Sequence, residues 1–288
     1  MKIIGTGLSG LVGSRIVELL PQHTFTNFSL ENGVDITDKA SITTRITEDH
    51  ESMWVLHLAA YTNVQGAESE REKKEESTAW KVNVEATQNI VDACTLTGKK
   101  LLYIDTDYAF DGTKDTYTEE DIPHPLSWYA ITKSEGAKRV LSMGENSIVL
   151  RISNPYRANP IGKKDFVHKM LEYMKSDKPI IAPQDQVFVP TFIDDIATAI
   201  DILVTKGSHG IYHVVGSQAL SPFDAALSLA HLYGIDASHI TPTKFASYFE
   251  GKAPVPQRAL LLNDKIRSLG VVMHGFDDGI RIMKKQEE

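Results

Sequence analysis

The fold is decided at the start of the chain, by the stretch Lys2-Ile3-Ile4-Gly5-Thr6-Gly7-Leu8-Ser9-Gly10-Leu11-Val12-Gly13. A short apolar run leads into glycines, and an apolar stripe from Ile16 to Leu20 follows, which predicts a strand, a tight loop and a helix. Gly7 and Gly10 let the backbone turn and approach a pyrophosphate, while Gly13 lets helix and strand pack closely. Because a helix N-terminus also attracts anions, the stretch predicts a dinucleotide-binding loop.

Apolar runs typical of strands recur along the chain, at residues 25–28, 54–58, 100–104, 147–152 and 211–215. Segments long enough for helices, such as 78–96 and 129–141, lie between them. Strands that alternate with helices predict right-handed crossovers and a parallel sheet covered on both faces. The predicted fold class is therefore α/β, a Rossmann-type doubly wound parallel sheet with a smaller substrate-binding lobe.

After Ile152 the chain becomes richer in proline and loops. We expect a dinucleotide-binding domain of residues 1–155 and about 186–216, and a substrate-binding lobe of about 156–185 and 217–288. Ligands of such sheets bind outside the carboxyl ends of the strands, so the lobe is expected to cover that edge.

The composition excludes several classes of protein. The 288 residues carry a net charge of −8, which gives nucleic acid no general attraction. No stretch approaches the ~20 apolar residues that span a bilayer. The only cysteine, Cys94, cannot form an intrachain disulfide and is expected to be a buried helix residue. We expect a cytoplasmic protein with no nucleic-acid or membrane partner.

Metal binding is not expected, because no histidine or cysteine pair has the spacing of metal ligands. His57 stands between Leu56 and Leu58 and is interpreted as a strand residue whose ring is satisfied by the backbone.

Tyr129 and Lys133 open a predicted helix, and their i, i+4 spacing places them on one face. A phenol with an ordinary pKa of about 10 is a poor proton shuttle at neutral pH, and a neighbouring ammonium would favour the phenolate. The lysine could also hold a cofactor ribose. Together with the glycine loop, the pair predicts proton transfer beside a bound dinucleotide.

The second strand decides between NAD(H) and NADP(H), because an acid at its end would bind a ribose 2′-hydroxyl. Here it ends in Asn27-Phe28-Ser29, and the first acid is Glu31. Both cofactors stay open, with a slight preference for NADP(H), because an acid would repel a 2′-phosphate and Arg15 is a candidate cation.

The spacing of loop and Tyr-xxx-Lys resembles the extended short-chain dehydrogenases, and among them the dTDP-4-dehydrorhamnose reductase family. In that family a strand ends in Ser-Thr-Asp-Tyr-Val-Phe-Asp-Gly, and this sequence has Asp105-Thr106-Asp107-Tyr108-Ala109-Phe110-Asp111-Gly112. Further matches are Asp35-Ile36-Thr37-Asp38, Ala59-Ala60-Tyr61-Thr62-Asn63-Val64, Val82-Asn83, Asp185-Gln186 with Pro190-Thr191, and Gly210-Ile211-Tyr212-His213. The matches end near residue 215.

The resemblance implies a catalytic set of Thr106, Tyr129 and Lys133. It implies that the dinucleotide is bound by the glycine loop, by the two segments that follow the second and third strands, and by the catalytic helix: Gly7, Ser9, Gly10, Leu11, Val12, Gly13, Asp35, Ile36, Leu58, Ala59, Ala60, Tyr129 and Lys133. Candidate substrate-binding residues are Thr62, Asn154 and Arg258.

Two departures from the family pattern concern the active site. Asp105 replaces the family's serine before the catalytic threonine, and a buried carboxylate there must be paired, hydrogen-bonded or protonated. We expect a buried hydrogen-bond network to hold it. Asn154 replaces a tryptophan, in an Arg-x-x-Asn-x-Tyr pattern that resembles sugar-nucleotide epimerases and dehydratases.

The resemblance implies reduction of the 4-keto group of a nucleotide-linked deoxysugar, with hydride from the nicotinamide and a proton from Tyr129. Thr106 would hydrogen-bond the reacting oxygen, and Lys133 would orient the ribose. The expected partners are a nucleotide-sugar substrate and a second copy of the chain, in a homodimer.

Other activities of the same fold stay open. Sugar-nucleotide 4-epimerases use the same three residues but retain NAD. Dehydratases carry a glutamate where this chain has Tyr108, so dehydration is not expected. A further alternative is a non-catalytic, NADP-binding regulatory subunit similar to that of methionine adenosyltransferase, which belongs to the same family.

Overall fold

A computed structural model describes residues 1–176 and 178–288. Its centre is a sheet of six parallel strands in the order β2-β1-β3-β4-β5-β9, and two small parallel pairs, β6-β8 and β7-β10, lie outside it. The strands are β1 (Lys2–Thr6), β2 (Thr24–Phe28), β3 (Trp54–His57), β4 (Lys100–Thr106), β5 (Ser147–Ile152), β6 (Pro155–Tyr156), β7 (Ile180–Pro183), β8 (Thr191–Phe192), β9 (Gly210–His213) and β10 (Ile240–Thr243).

Helices connect the strands and cover both faces of the sheet. They are α1 (Leu11–Leu19), α2 (Lys39–Glu48), α3 (Val64–Ser69), α4 (Thr78–Trp80), α5 (Ala86–Thr97), α6 (Trp128–Leu141), α7 (Phe166–Lys175), α8 (Ile193–Lys206), α9 (Pro222–Tyr233), α10 (Phe245–Phe249), α11 (Asp264–Ser268) and α12 (Phe276–Glu287). A π-helical turn, Lys81–Glu85, joins α4 to α5. The predicted doubly wound α/β fold is confirmed.

Alternation along the strands builds two cores. Ile3 of β1 packs in the cluster that includes residues of α1 and α8, whereas Ile4 packs in the cluster that includes residues of α2, α5 and α6. Successive strand residues point to opposite faces, so a continuously apolar strand is buried on both sides. Cys94 belongs to the second of these clusters and is buried, as expected.

A further cluster outside the sheet is formed by residues of α7, α9 and α12, with Tyr156 and Phe276 among its fully buried rings. It underlies the loops that follow β5 and β9. The predicted division into a dinucleotide-binding domain and a substrate-binding lobe stays a proposal.

The strand order locates the ligand-binding edge. β1 has β2 on one side and β3 on the other, so the chain reverses its direction of travel across the sheet at this point. Such a switch point leaves a crevice outside the carboxyl ends of the strands. No helix within residues 1–176 and 178–288 is long and apolar enough to cross a membrane.

Candidate active site

The glycine loop after β1 packs too closely for side chains at two positions. Gly7 has φ +71°, and a Cβ added there would lie 2.6 Å from the backbone nitrogen of Ala59. A Cβ on Gly13 would lie 2.5 Å from the carbonyl oxygen of Gly7. The loop therefore needs glycine to bring α1 and the segment after β3 together.

Helix α1 begins directly after the loop, and its first N–H groups have no intrahelical partner. Gly10 is its N-cap, and no side chain of the described residues caps the helix there. The residues of this first turn line a cavity, so their N–H groups and the positive end of the helix suit a pyrophosphate.

This cofactor cavity, of about 580 Å³, runs along the carboxyl edge of the sheet. Fourteen of the predicted residues line it, from the glycine loop and the first turn of α1, the loop after β3, the end of β4, the loop after β5 and helix α6: Gly7, Ser9, Gly10, Leu11, Val12, Gly13, Leu58, Ala59, Ala60, Thr62, Thr106, Tyr129, Lys133 and Asn154. Segments far apart in the sequence therefore meet at one site.

Three predicted residues lie outside the lining of this cavity. The carboxylate of Asp35 accepts hydrogen bonds from the backbone N–H and the hydroxyl of Thr37, at 2.8 and 2.7 Å. The carbonyl of Ile36 accepts one from Asn89. The half-buried Arg258 forms a single β-bridge with Val187. Their binding roles stay predictions.

Lys133 lies one helical turn after Tyr129 on α6, and both side chains are buried. The Lys133 ammonium donates a hydrogen bond to the carbonyl of Ile104, at 2.6 Å, and lies 3.9 Å from the centre of the Tyr103 ring. Burial lowers the pKa of Lys133 to about 8, and the charge of Asp105 opposes this change. The ammonium therefore titrates close to neutral pH.

The sequence analysis predicts that Lys133 lowers the pKa of Tyr129, and this prediction is wrong in direction. Burial raises the pKa of its phenol, the charge of Asp105 adds to the effect, and the Thr106 hydroxyl opposes it. Lys133 does not offset this, since its ammonium is directed to the carbonyl of Ile104. Tyr129 therefore carries its proton at neutral pH, as an ordinary phenol does, and the raised pKa makes it a weaker acid than a free phenol.

Asp105 is held by a buried network, as expected. The Nε atom of Arg151 donates to Asp105 Oδ2 at 3.3 Å, and both side chains are almost fully buried. An Nη atom of Arg151 lies 3.4 Å from His213 Nε2. Burial, with the charge of Arg151, lowers the pKa of His213 to about 3. The imidazole is neutral and accepts this hydrogen bond.

The sequence analysis assigned no role to Asp107, although it directly follows Thr106. Its carboxylate is buried and accepts hydrogen bonds from the hydroxyls of Ser153, at 2.7 Å, and Thr106, at 3.2 Å. Burial raises the pKa of Asp107 to about 6, and the bond from Ser153 opposes this. Its position next to Thr106, a predicted catalytic residue, was the available signal.

A second cavity, of about 440 Å³, adjoins the first. The two share the lining residues Asp107, Tyr108, Asn154, Phe166 and Lys169. Beyond them the wall of the second cavity is mostly apolar and aromatic, with Tyr173, Phe188, Tyr248 and Phe249.

Three lysines line the cofactor cavity where the loop after β6 and the start of α7 approach it: Lys163, Lys164 and Lys169. Lys169 also lines the second cavity. These exposed cations suit an anionic ligand at the junction of the two cavities.

Two other expectations need correction. Arg15 forms a two-point ion pair with Asp194, at 2.7 Å for both contacts, and so does not serve as a free cation for a 2′-phosphate. His57 is satisfied by hydroxyls and not by the backbone: Nδ1 lies 2.7 Å from Thr6 Oγ1, and Nε2 lies 3.0 Å from Thr87 Oγ1.

In the described ranges, no three His, Cys, Asp or Glu side chains cluster as metal ligands.

The parallel sheet, the glycine loop and the Thr106, Tyr129 and Lys133 side chains at one edge define an extended short-chain dehydrogenase/reductase. More narrowly, the chain belongs to the family described as RmlD substrate binding domain, which matches residues 1–287.

Individual relatives carry two different names. The chain is 31% identical to dTDP-4-dehydrorhamnose reductase of Aggregatibacter actinomycetemcomitans over 237 residues, which cover 79% of this chain and 78% of the relative. It is 26% identical to methionine adenosyltransferase 2 subunit beta of Mus musculus over 284 residues, which cover 94% and 83%. Among solved structures, dTDP-4-dehydrorhamnose reductase of Bacillus anthracis in complex with NADP is similar, with TM-score 0.89, 26% identity and 99% of each chain covered.

Proposed function

We propose that this protein is a nicotinamide-dependent reductase that converts the 4-keto group of a nucleotide-linked deoxysugar to an alcohol. One observation carries the proposal. The Thr106, Tyr129 and Lys133 side chains line the cofactor cavity close to the residues that it shares with the second cavity. A cofactor held by the glycine loop and a substrate in the second cavity could therefore meet at these three side chains.

The proton chemistry follows from the chain's own residues. When bound, the nicotinamide supplies the hydride. Tyr129, a phenol that is protonated at neutral pH, donates its proton to the oxygen that becomes the alcohol. Thr106 hydrogen-bonds that oxygen, and the Lys133 ammonium holds the ribose.

The second cavity supports a nucleotide-linked substrate. Its aromatic wall, with Tyr173, Tyr248 and Phe249, suits a base, and Lys169 at the junction suits a diphosphate. Thr62, Asn154 and Arg258 stay in the proposal as substrate-binding residues, and only the first two line a cavity described here.

We assign NADP(H) as the preferred cofactor and keep NAD(H) as the alternative. The end of β2 carries Asn27 and Ser29 in place of an acid, so nothing there repels a 2′-phosphate. The similar reductase of Bacillus anthracis was solved in complex with NADP. Action in the cytoplasm, as a homodimer, completes the proposal.

The test is oxidation of NADPH and of NADH by the purified protein in the presence of dTDP-4-dehydrorhamnose and other 4-keto sugar nucleotides. We expect turnover that requires both cofactor and keto sugar. Absence of turnover with every such sugar, in a protein that binds NADPH, would refute the reductase proposal. A protein that retains tightly bound NAD and interconverts 4-epimers would instead support the epimerase alternative.

A second candidate function is a non-catalytic regulatory subunit. The beta subunit of methionine adenosyltransferase 2 aligns with 94% of this chain, including segments beyond the alignment with the 31% identical reductase. Stable binding to a methionine adenosyltransferase catalytic subunit, without turnover of any keto sugar, would support this candidate.

A further inference from the structure

A row of three buried polar residues crosses the sheet next to the active site. Asp105 on β4, Arg151 on β5 and His213 on β9 are partners in register on adjacent strands. The guanidinium of Arg151 contacts both neighbours and lies 5.0 Å from the Phe110 ring. The charged pair is therefore fixed on all sides by packed side chains.

The row lies on the same face of the sheet as Lys133. Side chains alternate along a strand, so Tyr103 and Asp105 point to the same face of β4, about 7 Å apart. The Lys133 ammonium lies 3.9 Å from the Tyr103 ring centre and donates to the carbonyl of Ile104, the residue before Asp105. The carboxylate and the ammonium therefore lie on the same face of β4, and both side chains are buried.

The two carboxylate oxygens of Asp105 have different surroundings. Asp105 Oδ2 accepts from Arg151, whereas Asp105 Oδ1 is buried without a hydrogen-bond partner among the described residues. Buried polar atoms are nearly always paired, and a purely structural ion pair gains nothing from an unsatisfied oxygen. Burial raises the pKa of Asp105, and the charges of Arg151 and Lys133 oppose this change. The Asp105 charge in turn raises the pKa of both Lys133 and Tyr129.

Several titratable groups surround Lys133, and two of them, Asp105 and Asp107, are carboxylates. The surrounding groups are Tyr129 on its own helix, Tyr103 and Asp105 on β4, His57 on β3, Arg151 on β5, and Asp107 and Tyr108 on the turn after β4. Within the described part of the chain, Asp105 is the one carboxylate whose charge raises the pKa of Lys133. Burial acts in the opposite direction.

We propose that Asp105 is a positioning residue: anchored by Arg151, its carboxylate keeps Lys133 a cation in the closed cavity. The serine of the related family pattern could not supply that charge. The inference rests on the proposed function in one respect only, namely that the Lys133 ammonium holds the cofactor ribose. The ionisation of Lys133 itself is a property of the free protein.

The test follows that ionisation directly, by NMR of protein with isotope-labelled lysine side chains. The signal that disappears in Lys133→Met identifies Lys133. We expect its titration midpoint to fall by about one pH unit or more in Asp105→Asn, because an opposite charge has been removed. The affinity for NADPH, measured against pH by fluorescence, should weaken from a correspondingly lower pH.

Two further variants separate charge from folding. Asp105→Asn leaves Arg151 buried without its partner, so Asp105→Asn/Arg151→Gln removes both charges together and keeps polar side chains of similar size. Its midpoint should still lie below that of the parent. His213→Asn is the matched control, because a neutral acceptor replaces a neutral imidazole, and its midpoint should equal that of the parent.

The possible failures are distinguishable. A Lys133 midpoint that is the same in the parent and in both Asp105 variants overturns the inference, whatever the protein binds. If the midpoint moves but the NADPH affinity does not depend on pH, the ribose-holding role of Lys133 fails, and the proposed mechanism fails with it. If Asp105 has only a structural role, its replacement should lower the thermal stability and should change neither the Lys133 titration midpoint nor the pH at which the NADPH affinity weakens.

Discussion

Replacing Tyr129 by phenylalanine removes one oxygen atom and tests the proposed chemistry directly. The ring would keep its packing, since it lies edge-on to the Tyr108 ring with centroids 6.3 Å apart and is buried in the first turn of α6. The loss of a hydroxyl contact costs about 1 kcal/mol of stability. The variant should therefore fold.

The expected loss of rate follows from the role of the phenol. General acid catalysis contributes about 10²–10⁴ in rate, which is roughly 3–5 kcal/mol of barrier. Cofactor affinity should change by less than about 1 kcal/mol, because the Lys133 ammonium is positioned by the carbonyl of Ile104 and not by the phenol. The rate of the chemical step should fall while the dissociation constant of NADPH stays nearly constant.

The assay is single-turnover oxidation of NADPH with a keto sugar that the parent reduces, together with NADPH binding by fluorescence. Tyr156→Phe is the matched control, because it deletes another buried phenol oxygen, which donates a 3.4 Å hydrogen bond to the Phe276 carbonyl, and Tyr156 lines neither cavity. A Tyr129→Phe protein that keeps more than about a tenth of the parent rate would refute Tyr129 as the proton donor.

Three other changes test separate parts of the site and fold. Gly10→Ala keeps an allowed backbone, and its Cβ meets only the Gly7 carbonyl at 3.2 Å, so calorimetry should find an unchanged fold but at least ~10-fold weaker NADPH binding. In the parent, kcat/KM should fall below about pH 6, because protonation of Asp107 weakens its hold on Thr106. Asp107→Asn is neutral at every pH, so its kcat/KM should be lower than that of the parent at neutral pH and should show no fall below about pH 6; a fall that persists in the variant would show that another group causes it. Burial lowers the pKa of His168, but hydrogen bonds to two carboxylates, Asp165 and Glu287, outweigh it and raise the pKa. Their stabilisation is complete below the unfolded pKa and lost as pH rises through the higher folded pKa, so the thermal midpoint should fall across that range in the parent but not in His168→Gln.

Local patterns in the sequence were enough to predict the sheet and the cofactor cavity. Apolar runs gave the strands, because both faces of a parallel strand are buried. The glycines of the first loop located the ligand-binding edge, because only a tight turn after a strand requires Gly7 and Gly13 together. The i, i+4 spacing of Tyr129 and Lys133 placed both on one side of α6, where they line the same cavity.

What the sequence did not reveal depends on contacts between distant segments. Nothing near Arg15 in the sequence indicates its ion pair with Asp194, and nothing near Asp107 indicates the Ser153 hydroxyl. The predicted direction of the change in the Tyr129 pKa was wrong for the same reason. It depends on burial and on the charge of Asp105 more than on the spacing to Lys133.

In the proposed function, the residues that transfer the proton and the residues that select the substrate come from different parts of the chain. The proposed catalytic side chains come from β4 and α6, whose positions follow from the sheet, whereas the far wall of the second cavity comes from α7 and from the loops and short elements after it. Tyr248 and Phe249 lie beyond residue 215, near which the short motif matches end, although the family model extends to residue 287. The two parts meet at Asp107, Tyr108 and Asn154, which line both cavities. If the second cavity binds the sugar nucleotide, as proposed, substitutions in its wall should change which sugar nucleotide binds and leave Thr106, Tyr129 and Lys133 in place.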